Sequence, residues 1–223
     1  MPNALTYYNR GVKHQDAGRF NDAITDFTSA LALDSSLVSA YVNRGLAYSD
    51  LGKYAEALAD YAKAIALNPS AQNAHFNRGT TYELMGRYAE AIEDYATAIT
   101  LYPNDAQAFY NRGNLYRELG DLKKALNDFN DAIRIDPTLT RPYTNRAGVY
   151  FMLGLYAEAL QDYWVVVQMD PNDSLALNNI GTILVNLDRL SDALPFFERS
   201  AQLGFRDAQQ AAAQIRRELG LTT

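Results

Sequence analysis

The sequence predicts an all-α solenoid built from six helix-turn-helix repeats. The first observation is a tripeptide of asparagine, arginine and glycine that returns every 34 residues, with changes in the last two copies. A second glycine and a proline recur with the same period. A fixed period of this length indicates stacked units, none of which can bury its apolar face alone. The copies of the tripeptide begin at Asn9, Asn43, Asn77, Asn111, Asn145 and Asn179.

The segment 38–71 shows how one repeat is built. Apolar and aromatic residues spaced three or four apart, from Tyr41 to Leu51, form one helical face. Gly52 ends this helix, because glycine readily adopts the left-handed conformation that follows a helix C-terminus. A second apolar face runs from Tyr54 to Leu67, and Pro69 prevents its continuation. The connecting turn is very short, so the two helices must be antiparallel.

These positions resemble the tetratricopeptide repeat family, in the Asn-Arg-Gly type found in many bacterial proteins. The family pattern appears in the second copy as Tyr41, Gly45, Tyr48, Gly52, Tyr54, Ala57, Tyr61, Ala64 and Pro69. The resemblance implies a right-handed α-solenoid over residues 1–207. Residues 208–223 are expected to form a capping helix and tail. The expected repeats cover about 4–37, 38–71, 72–105, 106–139, 140–173 and 174–207.

Composition argues against several classes of function. The net charge of −6 and the absence of a basic run argue against a nucleic-acid partner. No apolar run is long enough to span a membrane, and the lack of cysteine fits a reducing compartment. No phosphate-binding loop, nucleophile motif or metal-ligand spacing occurs, and His14 and His75 replace ridge aromatics. We therefore expect a cytoplasmic, non-catalytic protein of bacterial type without metal or cofactor.

An arginine on the first helix and an aspartate on the second helix recur together in five copies. The sixth copy has Ile180 and Phe196 at these two positions. Joint presence and joint loss predict a pair within each repeat, since a pair between neighbours would leave Asp162 facing an apolar residue. The alternative is that the arginine row binds an anionic ligand. The predicted pairs are Arg10–Asp26, Arg44–Asp60, Arg78–Asp94, Arg112–Asp128 and Arg146–Asp162.

The six recurring asparagines are the candidate binding residues. Asparagine is a poorer helix former than alanine by about 0.5–0.7 kcal/mol, so something must offset its presence in mid-helix. By resemblance the row faces a concave groove and is similar to the asparagine ladder that holds peptide main chain in the repeat domain of O-linked N-acetylglucosamine transferase. Helix layers lie about 8–10 Å apart and an extended chain advances about 3.3 Å per residue, so each asparagine meets roughly every third residue. The alternative is that the asparagines satisfy one another or water.

The resemblance places further side chains in the groove. The aromatic ones suggest a partner with an apolar anchor, and an excess of acidic ones suggests a partner that is not strongly acidic. A second family mode clamps a C-terminal carboxylate with lysines, but Tyr8 and Val12 occupy the corresponding first-repeat positions. The clamp is therefore largely absent. The additional groove candidates are Tyr8, Phe76, Tyr110, Phe151, Asp50, Glu83, Arg117 and Arg141.

Together these features predict a scaffold or adaptor that binds a peptide or protein segment in its groove. One alternative is an assembly factor or co-chaperone that docks folded partners on either surface. Another is self-association through the first repeat, which has no preceding cap and is expected to expose Tyr7 and His14.

Overall fold

The computed structural model describes residues 2–221, which contain thirteen α-helices and no β-strand. Residues 1 and 222–223, which include the end of the expected tail, lie outside the described residues. The chain divides into two compact units, residues 1–112 and residues 113–223. The predicted all-α fold of paired helices is confirmed in each unit.

The first unit consists of three helical hairpins and the beginning of a seventh helix. Within each hairpin, the first helix packs against the second; α2 also packs against α3, and α4 against α5. The first helices begin at the residues where the sequence copies begin. The helices are α1 (Ala4–Asp16), α2 (Phe20–Leu33), α3 (Val38–Asp50), α4 (Tyr54–Leu67), α5 (Gln72–Leu84), α6 (Tyr88–Leu101) and α7 (Ala106–Glu118), of which α7 crosses the unit boundary.

The second unit continues the same alternation and ends with α13 packed on α12. The sequence suggested that this last helix begins near Ala208, whereas α13 begins at Arg206. The earlier start arises because Gly204 has a φ of +93° and Phe205 is extended, which leaves the chain free to turn at once. Its helices are α8 (Leu122–Ile135), α9 (Thr140–Met152), α10 (Tyr156–Met169), α11 (Ser174–Asn186), α12 (Leu190–Gln202) and α13 (Arg206–Glu218).

The turn inside each hairpin requires a residue in the left-handed conformation. Gly52 fulfils this requirement with a φ of +72°, and its amide N–H donates to the carbonyl of Ser49. In the last hairpin Asp188 occupies the same place with a φ of +57°. A side chain in this region is strained because its Cβ crowds the following carbonyl. The sixth turn is therefore the least favourable of the series.

Substitution of Asp188 by glycine should raise the free energy of unfolding by about 1 kcal/mol, because it removes the penalty of a left-handed non-glycine residue. Urea unfolding followed by circular dichroism measures this change. The matched control, Gly154→Asp, places the same strain in the preceding hairpin and should lower stability by a similar amount. A loss of stability in Asp188→Gly would contradict this explanation of the turn.

Aromatic rings on the second helices pack directly against a small residue on the first helices. Tyr61 is fully buried, and a Cβ added to Gly45 would lie 2.8 Å from the Cε1 atom of its ring. Gly181 has the same relationship to Phe197 in the second unit, also at 2.8 Å. Close approach of the paired helices therefore depends on the missing side chain at this position. The buried rings of this set are Phe27, Tyr61, Tyr95, Phe129, Tyr163 and Phe197.

Candidate peptide-binding surface

The structure brings four of the predicted arginine–aspartate pairs together within their repeats. In each pair Nε and Nη2 of the guanidinium donate to the two carboxylate oxygens, as in Arg44 to Asp60 at 2.7 and 2.8 Å. Bidentate geometry of this kind is the strongest form of a charge-assisted hydrogen bond. The two residues of the fifth pair, Arg112–Asp128, lie in different units, and that pair stays a prediction. The four pairs are Arg10–Asp26, Arg44–Asp60, Arg78–Asp94 and Arg146–Asp162.

Each aspartate of these pairs is nearly inaccessible, so its charge depends on the arginine. Hydrogen bonding to Asp60 raises the pKa of Arg44, whose side chain is 18% exposed. The remaining nitrogen of Arg44 donates to Thr28 of the preceding repeat at 2.9 Å, and Arg146 donates likewise to Asn130 at 2.6 Å. Each pair therefore joins the two helices of its hairpin, and Arg44 and Arg146 also connect their hairpins to the preceding ones.

In the last repeat aromatic packing replaces the ion pair. Phe196, at the aspartate position, stacks edge-to-face on Trp164 with ring centroids 5.4 Å apart. Trp164 occupies the position of Thr28 and Asn130 in its own repeat. Ile180, at the arginine position, is fully buried. Packing of Ile180, Phe196 and Trp164 thus takes the place of the hydrogen bonds that the arginine forms in other repeats. This replacement supports a structural role for the arginines.

Both histidines lie beside these ion pairs. His75 is buried, with Nδ1 3.2 Å from Oδ1 of Asp94 and Nε2 3.3 Å from the carbonyl of Pro69. His14 is less buried, with Nε2 3.5 Å from Oδ2 of Asp26. These contacts give both rings a packing and hydrogen-bonding role within their hairpins.

The predicted asparagine ladder of the first unit is solvent-accessible, and its members differ in how their amides are used. Asn9 is exposed and Asn77 is half-buried, and neither side chain forms a hydrogen bond with the described residues. The amide of Asn43 donates to the hydroxyl of Tyr8 at 3.1 Å, which leaves its carbonyl oxygen free. The amide of Asn111 donates to Tyr95 at 3.3 Å, and its oxygen accepts from Gln107. Asn111 is therefore the least available of the four.

The two ladder members of the second unit lie against neighbouring polar side chains. Asn145 donates to the side chain oxygen of Asn114 at 2.7 Å. Asn179 lies beside the hydroxyl of Tyr163, and burial raises the pKa of that hydroxyl to about 12. The bond of Asn145 corresponds to the alternative in which the asparagines satisfy neighbouring groups.

Aromatic candidates lie next to other aromatic rings of their own repeats. Tyr8 contacts Phe27 at a ring distance of 5.8 Å, and Phe76 contacts Tyr95 at 5.6 Å. In the second unit Phe151 contacts Tyr156 at 5.5 Å. All three, together with Tyr110, are half-buried. They combine a fixed position with an accessible face, which suits an apolar contact with a partner.

Charged candidates show a mixture of free and occupied groups. Asp50 is exposed at the end of α3, and partial desolvation raises the pKa of its carboxyl. Glu83 accepts a hydrogen bond from the hydroxyl of Tyr95 at 2.7 Å. Arg117 donates to its neighbour Glu118 at 2.9 Å, and Arg141 is exposed at the beginning of α9.

Each unit has a cavity beside ladder residues. In the first unit a depression of about 620 Å³ lies next to Tyr8, Val42 and Asn43. In the second unit a smaller cavity of about 70 Å³ is formed around Phe151 and Asn179. Both cavities are lined by predicted groove residues, although the sequence pattern does not predict a cavity at either place.

Sequence reasoning missed the hydroxyls of Tyr95 and Tyr163, which contact ladder asparagines, and the role of Gly148 beside the smaller cavity. A signal for the tyrosines was present, since the buried ring position holds tyrosine in three repeats and phenylalanine in the other three. A signal for the cavity was the fifth tripeptide, in which Ala147 takes the glycine position and Gly148 follows it.

Residues 2–221 contain neither a candidate membrane span nor a candidate metal site. Across this part of the chain, none of the helices combines the length and apolarity needed to cross a membrane. Over the same residues, no group of three or more histidine, aspartate or glutamate side chains is arranged to hold a metal ion.

Solved structures similar to this chain are repeat proteins of the same architecture. PilF of Pseudomonas aeruginosa is 20% identical, with a TM-score of 0.81, and the match covers 95% of this chain and 97% of PilF. YrrB, described as a TPR protein with an unusual peptide-binding site, is 23% identical with a TM-score of 0.72, covering 86% and 97%. MamA is 25% identical with a TM-score of 0.67, covering 72% and 94%. The comparison with curated proteins gave no significant match.

Two family models, both described as tetratricopeptide repeat, match the sequence. One matches residues 8–71 and 42–106, and the other matches residues 106–139, so together they span more than half of the 223 residues. The matched segments contain the ion pairs and ladder asparagines of the first three repeats. The paired helices and similar structures agree with this match. The chain therefore belongs to the tetratricopeptide repeat family.

Proposed function

We propose that this protein is a non-catalytic adaptor that binds an extended segment of a partner protein by its main chain. The asparagine ladder on the first helices provides the contacts. The tetratricopeptide fold generally mediates protein–protein interaction, and proteins of this family are generally non-catalytic scaffolds. The finer assignment, to main-chain recognition by asparagine, depends on the hydrogen-bonding state of the ladder.

The observation that carries the proposal is the unused hydrogen-bonding capacity of three adjacent ladder residues. Asn9 and Asn77 offer a complete carboxamide each, and Asn43 offers its oxygen. A carboxamide both donates and accepts, so it can bind an amide N–H and an amide carbonyl of a peptide. Each such bond contributes about 0.5–1.5 kcal/mol net. Contacts to the main chain alone give affinity with little preference for sequence.

The accessible aromatic rings can supply the sequence preference that main-chain contacts to the ladder do not give. Tyr8 and Phe76 lie one residue before Asn9 and Asn77, and each ring is held against a buried aromatic. A fixed aromatic surface contributes strongly to binding because little conformational freedom is lost on contact. We therefore expect the preferred segments to combine an extended main chain with an apolar side chain.

Peptide selection tests the proposal directly. A phage-displayed library of random 12-residue peptides is panned against the full chain, and affinities of selected synthetic peptides are measured by fluorescence anisotropy. The double variant Asn43→Ala/Asn77→Ala should bind at least about tenfold more weakly, since at least two net hydrogen bonds are lost. Its melting temperature should not fall, because alanine is the better helix former.

A matched control removes asparagines from exposed helix positions outside the ladder. Asn21→Ala/Asn127→Ala, on α2 and α8, should leave affinity unchanged. Asn111→Ala should weaken binding less than Asn77→Ala, because Asn111 is already hydrogen-bonded to Tyr95 and Gln107. Equal affinities of the wild type and Asn43→Ala/Asn77→Ala would refute the proposal.

A further inference from the structure

Gly148 is a helix-interior glycine without a packing explanation. It lies within α9, and it is not among the residues with positive φ. A Cβ added to Gly148 would meet no atom within 4 Å, whereas one added to Gly181 would collide with a ring. Ala147 occupies the ring-facing position of this repeat, so Gly148 is not needed there. Glycine is the least favourable helix residue after proline, and this one brings no compensating close contact.

The consequence of the missing side chain is a cavity. The space has a volume of about 70 Å³ and lies between α9 and α11, and all of its lining residues belong to the second unit. Phe151 and Asn179, both groove candidates, take part in the lining. The lining residues are Gly148, Phe151, Tyr163, Asn179, Thr182 and Ile183.

The lining of the cavity combines apolar groups with three polar side chains. The hydroxyl of Thr182 donates to the carbonyl of Asn178 at 3.0 Å, so it presents its methyl group. The hydroxyl of Tyr163 lies beside the carboxamide of Asn179. With Phe151 and Ile183 as further walls, the interior offers mainly apolar contact. A water occupies about 30 Å³ and apolar cavities of about 150 Å³ hold benzene, so 70 Å³ suits a side chain of three carbons.

We infer that this cavity is a specificity pocket for one valine-sized aliphatic side chain of the bound segment. Asn179, at its edge, accepts a hydrogen bond from the main chain of the same segment through its free carbonyl oxygen. The inference rests on the proposed function, and it adds a sequence preference that the ladder cannot supply. An extended strand presents alternate side chains to one surface, so a single aliphatic residue enters the pocket while its main chain stays at the ladder.

The test uses peptides selected on the wild-type full chain from the same random 12-residue library. Each aliphatic residue of a selected peptide is replaced in turn by glycine, and affinities are measured for the wild type, Gly148→Ala and Gly148→Val. We expect one valine, isoleucine or alanine whose replacement weakens binding to the wild type at least tenfold. Gly148→Val should weaken binding of the parent peptide at least tenfold, and Gly148→Ala should weaken it less.

Folding does not confound this test, because both replacements add a side chain into open space and remove a helix glycine. Their melting temperatures should equal or exceed that of the wild type. Ala157→Val, at an exposed position of α10, is the matched control and should leave affinity unchanged.

The possible results separate the pocket from the ladder. Unchanged affinity of Gly148→Val for every selected peptide would overturn the pocket, even if Asn43→Ala/Asn77→Ala and Asn179→Ala lose binding and the ladder proposal stands. Failure to select any peptide, or selected peptides indifferent to all ladder substitutions, would overturn both. The pocket would also be overturned if Gly148→Val weakened binding of the parent peptide and of its aliphatic-to-glycine variants by the same factor.

Discussion

Replacing Arg44 by methionine is expected to lower the free energy of unfolding by about 3 kcal/mol. The substitution preserves the aliphatic stem but leaves the buried carboxylate of Asp60 without its bidentate partner. Removal of one member of a buried ion pair typically costs about 3–5 kcal/mol, and the partial exposure of Arg44 places this case at the lower end. Urea unfolding, followed by circular dichroism, measures the change.

Two further variants identify the cause of that loss. Arg44→Met/Asp60→Leu removes both charges, as the last repeat does with Ile180 and Phe196, and should recover at least half of the stability. Arg134→Met breaks an exposed pair with Asp131 and should change stability by less than about 0.5 kcal/mol. If Arg44→Met is as stable as wild type, or the double variant is no better than the single one, the buried pair is not a stabilising element.

Gly45→Ala is expected to lower the free energy of unfolding by about 1–3 kcal/mol. The added methyl group would lie 2.8 Å from the ring of Tyr61, which is fully buried and cannot swing aside. Overpacking of this size forces the two helices of the hairpin apart. Thermal unfolding by circular dichroism gives the comparison with wild type.

The matched control is the same substitution at Gly148. Because a Cβ there meets nothing within 4 Å, Gly148→Ala should raise stability by about 0.5–1 kcal/mol through its helix preference alone. Opposite signs for the two variants would show that the ring contact determines the requirement for glycine. Equal changes in the two variants would show that helix propensity governs both positions.

The hairpins could be predicted from the sequence because the residues that end each helix act locally. Glycine at the turn and proline after the second helix act within a few residues, and the observed helix starts coincide with the repeat starts. The exception is α13, which begins at Arg206 instead of Ala208. That boundary depends on the backbone angles of Gly204 and Phe205, which the residue types alone do not fix.

The state of each ladder residue was less predictable, because it depends on the neighbouring repeat. Asn111 and Asn179 follow repeats in which the buried ring is a tyrosine, and each contacts that hydroxyl. Asn43 follows Phe27, which has no hydroxyl, and turns to Tyr8 instead. Asn77 forms no side-chain bond although Tyr61 precedes it. The periodicity specifies the position of a ladder asparagine, whereas three-dimensional contacts decide its availability.

The cavity at Gly148 could not be predicted from the repeat pattern either. A shift of glycine by one position, from the third to the fourth residue of the Asn145 motif, moves it from the ring-facing side to the side of Asn179. In the periodic alignment this change looks like a defect of the fifth copy. Only the contacts show that it creates space beside a candidate binding residue.

Amide-to-ester replacement in a selected peptide tests whether the ladder asparagines bind the main chain of a partner. An ester removes one N–H donor and preserves the side chains. Combined with Asn77→Ala in a double-mutant cycle, each ester position reports whether its N–H is bound by that carboxamide.

Esters at roughly every third peptide residue are expected to weaken binding about three- to tenfold. One of these losses should disappear in Asn77→Ala. If every ester weakens binding equally in the wild type and in Asn77→Ala, the ladder does not hold the main chain.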